Sequence, residues 1–152
     1  MVMAKFRYRM QNILDIKNKM EIQAKNEYAA ANLELEDEKE RMNALIGRRR
    51  FYENKVREHL QSESLDLQAV IEGKAAIRSI EEQMKKQLDR IKKAEDKVEQ
   101  KRVIMTELRM ERKTHEKLRE QAFEEFMQEE RKSESKQIDE LTSYTYGAGK
   151  NE

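Results

Sequence analysis

The sequence predicts an all-α protein, a long antiparallel two-helix coiled-coil hairpin with the C-terminal helix overhanging the first. Three observations lead there. Apolar residues recur in steps of three and four along nearly the whole chain, as they do on a helix buried along one stripe. Of its 152 residues, 41% are charged and 37% hydrophobic, with no proline and four glycines. That is too polar for a thick globular core, yet helix formers dominate throughout. Finally, a polar break, QSESLD at residues 61–66, divides the periodic pattern into two runs.

The first helix is expected over residues 4–60. It opens on FRYRMQNILDIK, where Phe6, Met10, Ile13 and Leu14 stand at i, i+4, i+7 and i+8, one helical face. The stripe is read as Phe6, Met10, Ile13, Met20 and Ala24, followed by Tyr28, Leu35, Met42, Leu45, Tyr52 and Val56. One additional four-residue step between Ala24 and Tyr28 reads as a stutter, which unwinds a coiled coil locally without ending it. At residues 61–66 the turn is expected, with Ser64 or Asp66 able to cap the next helix. Gly47 and Gly73 are rival breaks, although a lone glycine in a helical pattern costs only about 1 kcal/mol.

The second helix is expected over residues 67–143, with a stripe of Ile77, Ile80, Met84, Leu88, Ile91, Val98, Met105, Leu108, His115, Leu118 and Ala122. Residues 144–152, YTYGAGKNE, lose periodicity and read as a flexible tail. Reflection about a point near residue 63 pairs Phe6 with roughly residue 120. The stretch from about Phe123 to Leu141 then overshoots the first arm, still carrying Phe123, Phe126, Met127, Ile138 and Leu141. Such an end reads as an insertion surface, with fraying or a homodimer seam as the alternatives.

Catalytic chemistry is not expected. His59 and His115 have no metal-site spacing around them and read as seam or surface residues, so neither metal nor cofactor is expected. There is no phosphate-binding glycine loop and no nucleophile motif. RRRFY at residues 48–52 interleaves cations with aromatics, but the neighbouring ELEDEKE run repels phosphates, and a solvated face is the better reading. A formal charge of +1 points to neither nucleic acid nor an acidic membrane. The chain has no cysteine, which excludes disulfides. It shows neither a signal-peptide core nor a stretch of about 20 apolar residues, the length a membrane span requires. These features fit a soluble, cytoplasmic protein.

Taken together, the two ends resemble one family. KFRYRMQNILDIKNKMEIQAKNEYAAA resembles the opening of the bacterial flagellar FliJ family, and ERKSESKQIDELTS resembles its basic, glutamine-containing end with the pair Asp139 and Glu140. The resemblance implies a non-enzymatic stalk of the flagellar type III export apparatus, occupying the pore of the hexameric export ATPase FliI. It also implies engagement of the export gate protein FlhA and handling of export chaperones, at the inner face of the cell membrane. The implied ATPase contacts are Phe6, Met10, Phe123, Phe126, Arg131, Lys132, Lys136, Asp139 and Glu140. The implied gate contacts are Leu45 and Tyr52, one heptad apart, with Arg48 standing where the family would have another tyrosine. A generic coiled-coil scaffold and the equivalent stalk of a virulence-type secretion system are the alternatives.

Overall fold

A computed structural model describes residues 5–149. It holds two helices, α1 over Gln11–Gln61 and α2 over Leu67–Gly149, and no strand among the described residues. The fold is a two-helix hairpin. The connection closes on Asp66, whose carboxylate accepts the Ala69 N–H at 3.2 Å while its carbonyl accepts that of Val70 at 3.2 Å. Of the two candidate caps, Asp66 is the one that satisfies the first-turn amides. Gly47 and Gly73 both lie inside helices.

Both helix ends depart from the sequence reading. Residues 5–8 are not helical. The Tyr8 carbonyl accepts the Gln11 N–H at 3.1 Å, and the Met10 carbonyl accepts those of Ile13 and Leu14 at 3.0 and 3.1 Å. No Ser, Thr, Asp or Asn stands among residues 5–9 to cap an earlier start. At the other end, α2 continues through the expected tail to Gly149. Helix continuity needs backbone hydrogen bonds and the absence of a breaker, not an apolar stripe, and residues 144–149 contain no proline. Thr145 also donates its hydroxyl to the Leu141 carbonyl at 2.9 Å. Residue 4 and residues 150–152 lie outside the described residues.

The chain divides into two compact units, Gln23–Thr106 and Met1–Ile22 with Glu107–Glu152. In the first, Ala24, Ala31, Val56, Val70 and Ile80 are buried. The helices approach closely where Gly73 of α2 meets Val56 of α1, with no room there for a further side chain. Lys97–Glu34 and Lys101–Glu27 ion pairs, both at 3.0 Å, join the helices across the flanks of this seam. The Lys101 ammonium, with help from the Gln23 amide, holds the Glu27 carboxyl below the usual carboxylate range.

In the second unit, Leu14 and Glu21 are buried. Glu21, only 2% exposed, accepts hydrogen bonds from Arg109 and Arg112, the Arg109 contact at 3.5 Å. Lys17 pairs with Glu111 at 2.7 Å, and Arg112 reaches Glu116 at 2.9 Å. Hydrogen bonds to Glu21, then to Glu116, raise the Arg112 pKa above its ordinary value.

This arrangement corrects the expected first stripe. Met10, Ile13 and Met20 are exposed, whereas Leu14 and Glu21 hold the seam. Inward positions of α1 recur at sevens from Leu14 through Glu21, Tyr28, Leu35 and Met42 to Val56, so no stutter falls between Ala24 and Tyr28. The stutter was needed only because a glutamate occupies a position the apolar reading skipped. On α2, Leu88 and Leu118 are likewise exposed, one position aside from the inward Gln87 and close to the inward His115.

Candidate partner-binding surfaces

Phe6 organises the first surface. Its ring meets Phe123 edge-on, with centroids 5.2 Å apart and planes at 78°, and Phe126 at 5.5 Å and 53°. The Arg119 guanidinium lies 6.0 Å from the Phe6 centroid. Extended chain advances about 3.3 Å per residue against 1.5 Å in a helix, so the non-helical segment gives Phe6 the reach to arrive between these two aromatics. Phe123 and Phe126 therefore have a partner within the chain, contrary to the expectation that α2 is unpaired from Phe123 onward. Met10, exposed, lies beside this cluster in sequence but outside its ring contacts.

Continuous exposure begins later. Residues 131–147 are exposed without interruption. Along this stretch Lys132, Lys136, Asp139 and Glu140 follow at spacings of four, three and one, which places them on one helical face. Arg131 stands to one side of it. Ile138 and Leu141, both exposed, lie on the other face together with Thr145. The result is a helix with a zwitterionic face and, on the other, two exposed aliphatic side chains beside Glu134.

Leu45 and Tyr52 occupy a different setting. Both are half-buried on the inward heptad face of α1. Tyr52 packs edge-on against Phe51, with centroids 5.5 Å apart at 82°, and Lys55 stands 5.6 Å from the Phe51 centroid. Phe51, more than half exposed, is the aromatic offered outward here. Sequence reading placed RRRFY on a solvated face, in agreement with the exposure of Phe51, but gave Phe51, one residue off the seam stripe, no contact role.

The structure brings Phe6, Phe123 and Phe126 together and places Arg131, Lys132, Lys136, Asp139 and Glu140 on one exposed helical stretch. It gives Leu45 and Tyr52 to helix packing. The Nδ1 atom of His115 and the hydroxyl of Tyr8 are buried without a hydrogen-bond partner. No group of three or more potential metal ligands occurs among the described residues, and no helix there is long and apolar enough to cross a membrane.

Comparison with known proteins agrees with this architecture. The family model described as "Flagellar FliJ protein" matches residues 6–151. Among solved structures, a YscO homologue from Chlamydia trachomatis is similar in fold, with a TM-score of 0.76 and 22% sequence identity over 97% of this chain and 99% of that one. No curated protein matches the chain.

Proposed function

We propose, since this chain belongs to the FliJ family of flagellar proteins, that it is a non-enzymatic stalk of the type III export apparatus, coupling a hexameric export ATPase to the export gate. The observation that carries the reading is the uninterrupted exposure of helical residues 131–147, just beyond the Phe6–Phe123–Phe126 cluster. A helix that keeps a charged face and two aliphatic side chains in solvent is suited to broad contact with a surrounding partner. Arg131, Lys132, Lys136, Asp139 and Glu140 make the polar contacts in this reading, while Phe6, Met10, Phe123 and Phe126 stiffen its base. A six-fold ATPase offers six equivalent surfaces to an asymmetric helix. Contacts that favour some ATPase states over others then act by shifting their populations, without chemistry in the stalk itself.

Leu45 and Tyr52 contribute to the gate contact through their exposed edges, and chaperones for exported substrates are further partners. The place of action is the cytoplasmic side of the cell membrane, by peripheral association with the export machinery. The fold likeness to a YscO homologue supports the equivalent role in a virulence-type system as the second reading. The flagellar family match favours the first.

Deletion of residues 131–152 tests the proposal. Residues 131–147 are exposed throughout and add nothing to the seam, so the truncated chain keeps the ellipticity per residue of a folded hairpin. Stimulation of the partner ATPase, measured as turnover at matched protein concentration, is then lost. Full stimulation by a folded truncated chain overturns the assignment.

A further inference from the structure

Arg48 belongs to RRRFY, a motif the stalk reading leaves unused. It lines an open groove of about 320 Å³ in the Gln23–Thr106 unit, together with Arg41, Lys86 and Arg90, over a floor that includes Leu45 and the buried Gln87. No carboxylate lines this groove. Arg41 pairs with Glu38 at 3.1 Å, whereas Arg48, Lys86 and Arg90 form no ion pair with any described residue.

Two features keep the cations available. Gln87 is 5% exposed and donates to the Glu38 carbonyl at 2.9 Å and also to the Glu38 carboxylate. That anchorage holds Glu38 at one end of the groove, away from Arg48. Heptad spacing supplies the second feature: Arg41 and Arg48 on α1, like Gln83 and Arg90 on α2, stand seven residues apart and flank the seam on one side. Arg41 is neutralised by Glu38, whereas Arg48, Lys86 and Arg90 stand as like charges along the groove without an ion-pair partner among the described residues, an arrangement that a ligand supplying counter-charge would relieve. Solvent and salt screen these exposed charges and weaken that preference.

We infer that this groove docks an acidic helical segment of a partner protein, with carboxylates two helical turns apart on the arginines and an apolar side chain against Leu45. Groove length decides between an acidic peptide and nucleic acid. From Arg41 to Arg48 the helix rises only about 10 Å, room for one or two turns of peptide helix. Next along α1, Asp37 and Glu34 line the adjoining groove and would repel a continuing phosphate backbone. The inference goes beyond the stalk reading and rests on it only in taking Leu45 as a contact residue.

Fluorescence anisotropy with the full chain supplies the test. The probe is a labelled helix-forming peptide with glutamates at i and i+7 flanking a leucine. Expected is saturable binding, weakened at least about tenfold by Arg48→Glu with Arg90→Glu, as loss of charge-assisted contacts implies, and weakened similarly by Lys86→Glu alone or with Arg48→Glu. Lys74→Glu with Arg78→Glu, exposed on α2 outside the groove, leaves binding unchanged. Circular dichroism confirms equal helicity of all variants. Absence of saturable binding, equal losses in groove and control variants, or tighter binding of a single-stranded oligonucleotide than of the peptide overturns the inference. No export protein enters this assay, so its failure leaves the stalk reading intact, and failure of the ATPase test leaves the groove intact.

Discussion

Replacing Gly73 with alanine tests its close approach to Val56, with Gly47 as the internal control. Both glycines sit inside helices, where alanine is favoured by about 1 kcal/mol. A Cβ at Gly47 meets nothing within 4 Å. Gly47→Ala should therefore stabilise the protein by nearly the full propensity difference. A Cβ at Gly73 lands 2.5 Å from Val56 Cγ2, about 1 Å inside ordinary carbon contact. Val56 is buried, and a β-branched side chain in a helix has one strongly preferred χ1, so it cannot swing away without cost. Overpacking of this kind costs about 1–3 kcal/mol, which offsets or exceeds the propensity gain. The two alanine variants should differ by about 1–3 kcal/mol, or roughly 2–12 °C in Tm for a chain of this size. Adding Val56→Ala to Gly73→Ala should recover part of the loss, so that the pair is less harmful than the sum of its members. Thermal and urea unfolding followed at the helical ellipticity minimum provide the measurements. If Gly73→Ala stabilises as much as Gly47→Ala, the tight contact does not exist.

Four shorter predictions follow from the same contacts. Glu21→Ala leaves Arg109 and Arg112 without their shared carboxylate and should lower stability by about 1–3 kcal/mol, less than for a fully buried pair because both arginines reach solvent; an unchanged urea midpoint would contradict the buried triad. Phe6→Ala removes two aromatic contacts worth about 0.5–1.5 kcal/mol each, so trypsin should cut faster after Arg7 and Arg9 while helicity holds; unchanged cleavage rates would count against the cluster. Glu27 and Glu99 are held below the ordinary carboxylate range by Lys101 and Arg102 respectively; their contribution is full above about pH 4.3 and is lost as pH falls through their lower folded values, so Glu27→Gln should flatten the acid limb of the stability profile. Leu45→Ala with Tyr52→Ala should lower Tm by several degrees because both pack in the seam, whereas Phe51→Ala should leave Tm nearly unchanged; the reverse pattern would return Leu45 and Tyr52 to a purely external role.

The hairpin was legible because its determinants are local or periodic. Asp66 ends a polar break and caps the helix that follows, a relation confined to four residues. Val56 and Ile80 carry a heptad signal that survives whatever charges surround it. The opening residues misled for the converse reason. Hydrophobicity alone ranked Met10, Ile13 and Met20 above a glutamate, yet Glu21 holds the inward position because Arg109 and Arg112, some ninety residues away in the chain, come to meet it. A single-helix pattern carries no notice of that meeting. A stricter use of the seven-residue repeat, extended backward from Val56, Met42 and Leu35, would have reached Glu21 and Leu14 and removed the stutter. Phe6 eluded the helical reading because its contact depends on leaving the helix. At the other end, loss of periodicity after Ser143 was mistaken for loss of helix, although exposure on every face is equally consistent with a helix lacking prolines.

The polar seam around Glu21 has a consequence for the surfaces built beside it. An apolar seam gains from burial in any register that keeps the stripe covered, whereas a carboxylate shared by two guanidiniums is satisfied only where all three meet. Lys17 with Glu111 imposes a second such condition four residues away on α1. Within the Met1–Ile22 and Glu107–Glu152 unit, one side of a helical slip therefore strands charges even when Leu14 could find another apolar partner. That constraint is what the aromatic cluster requires, since edge-on stacking of Phe6 on Phe123 tolerates little displacement along α2. The helix leaving the cluster at residue 131 thus departs from a fixed register with its side chains in solvent through residue 147. A fixed register at the base and exposed faces beyond it are separate properties of neighbouring sequence, and the proposed stalk role requires both.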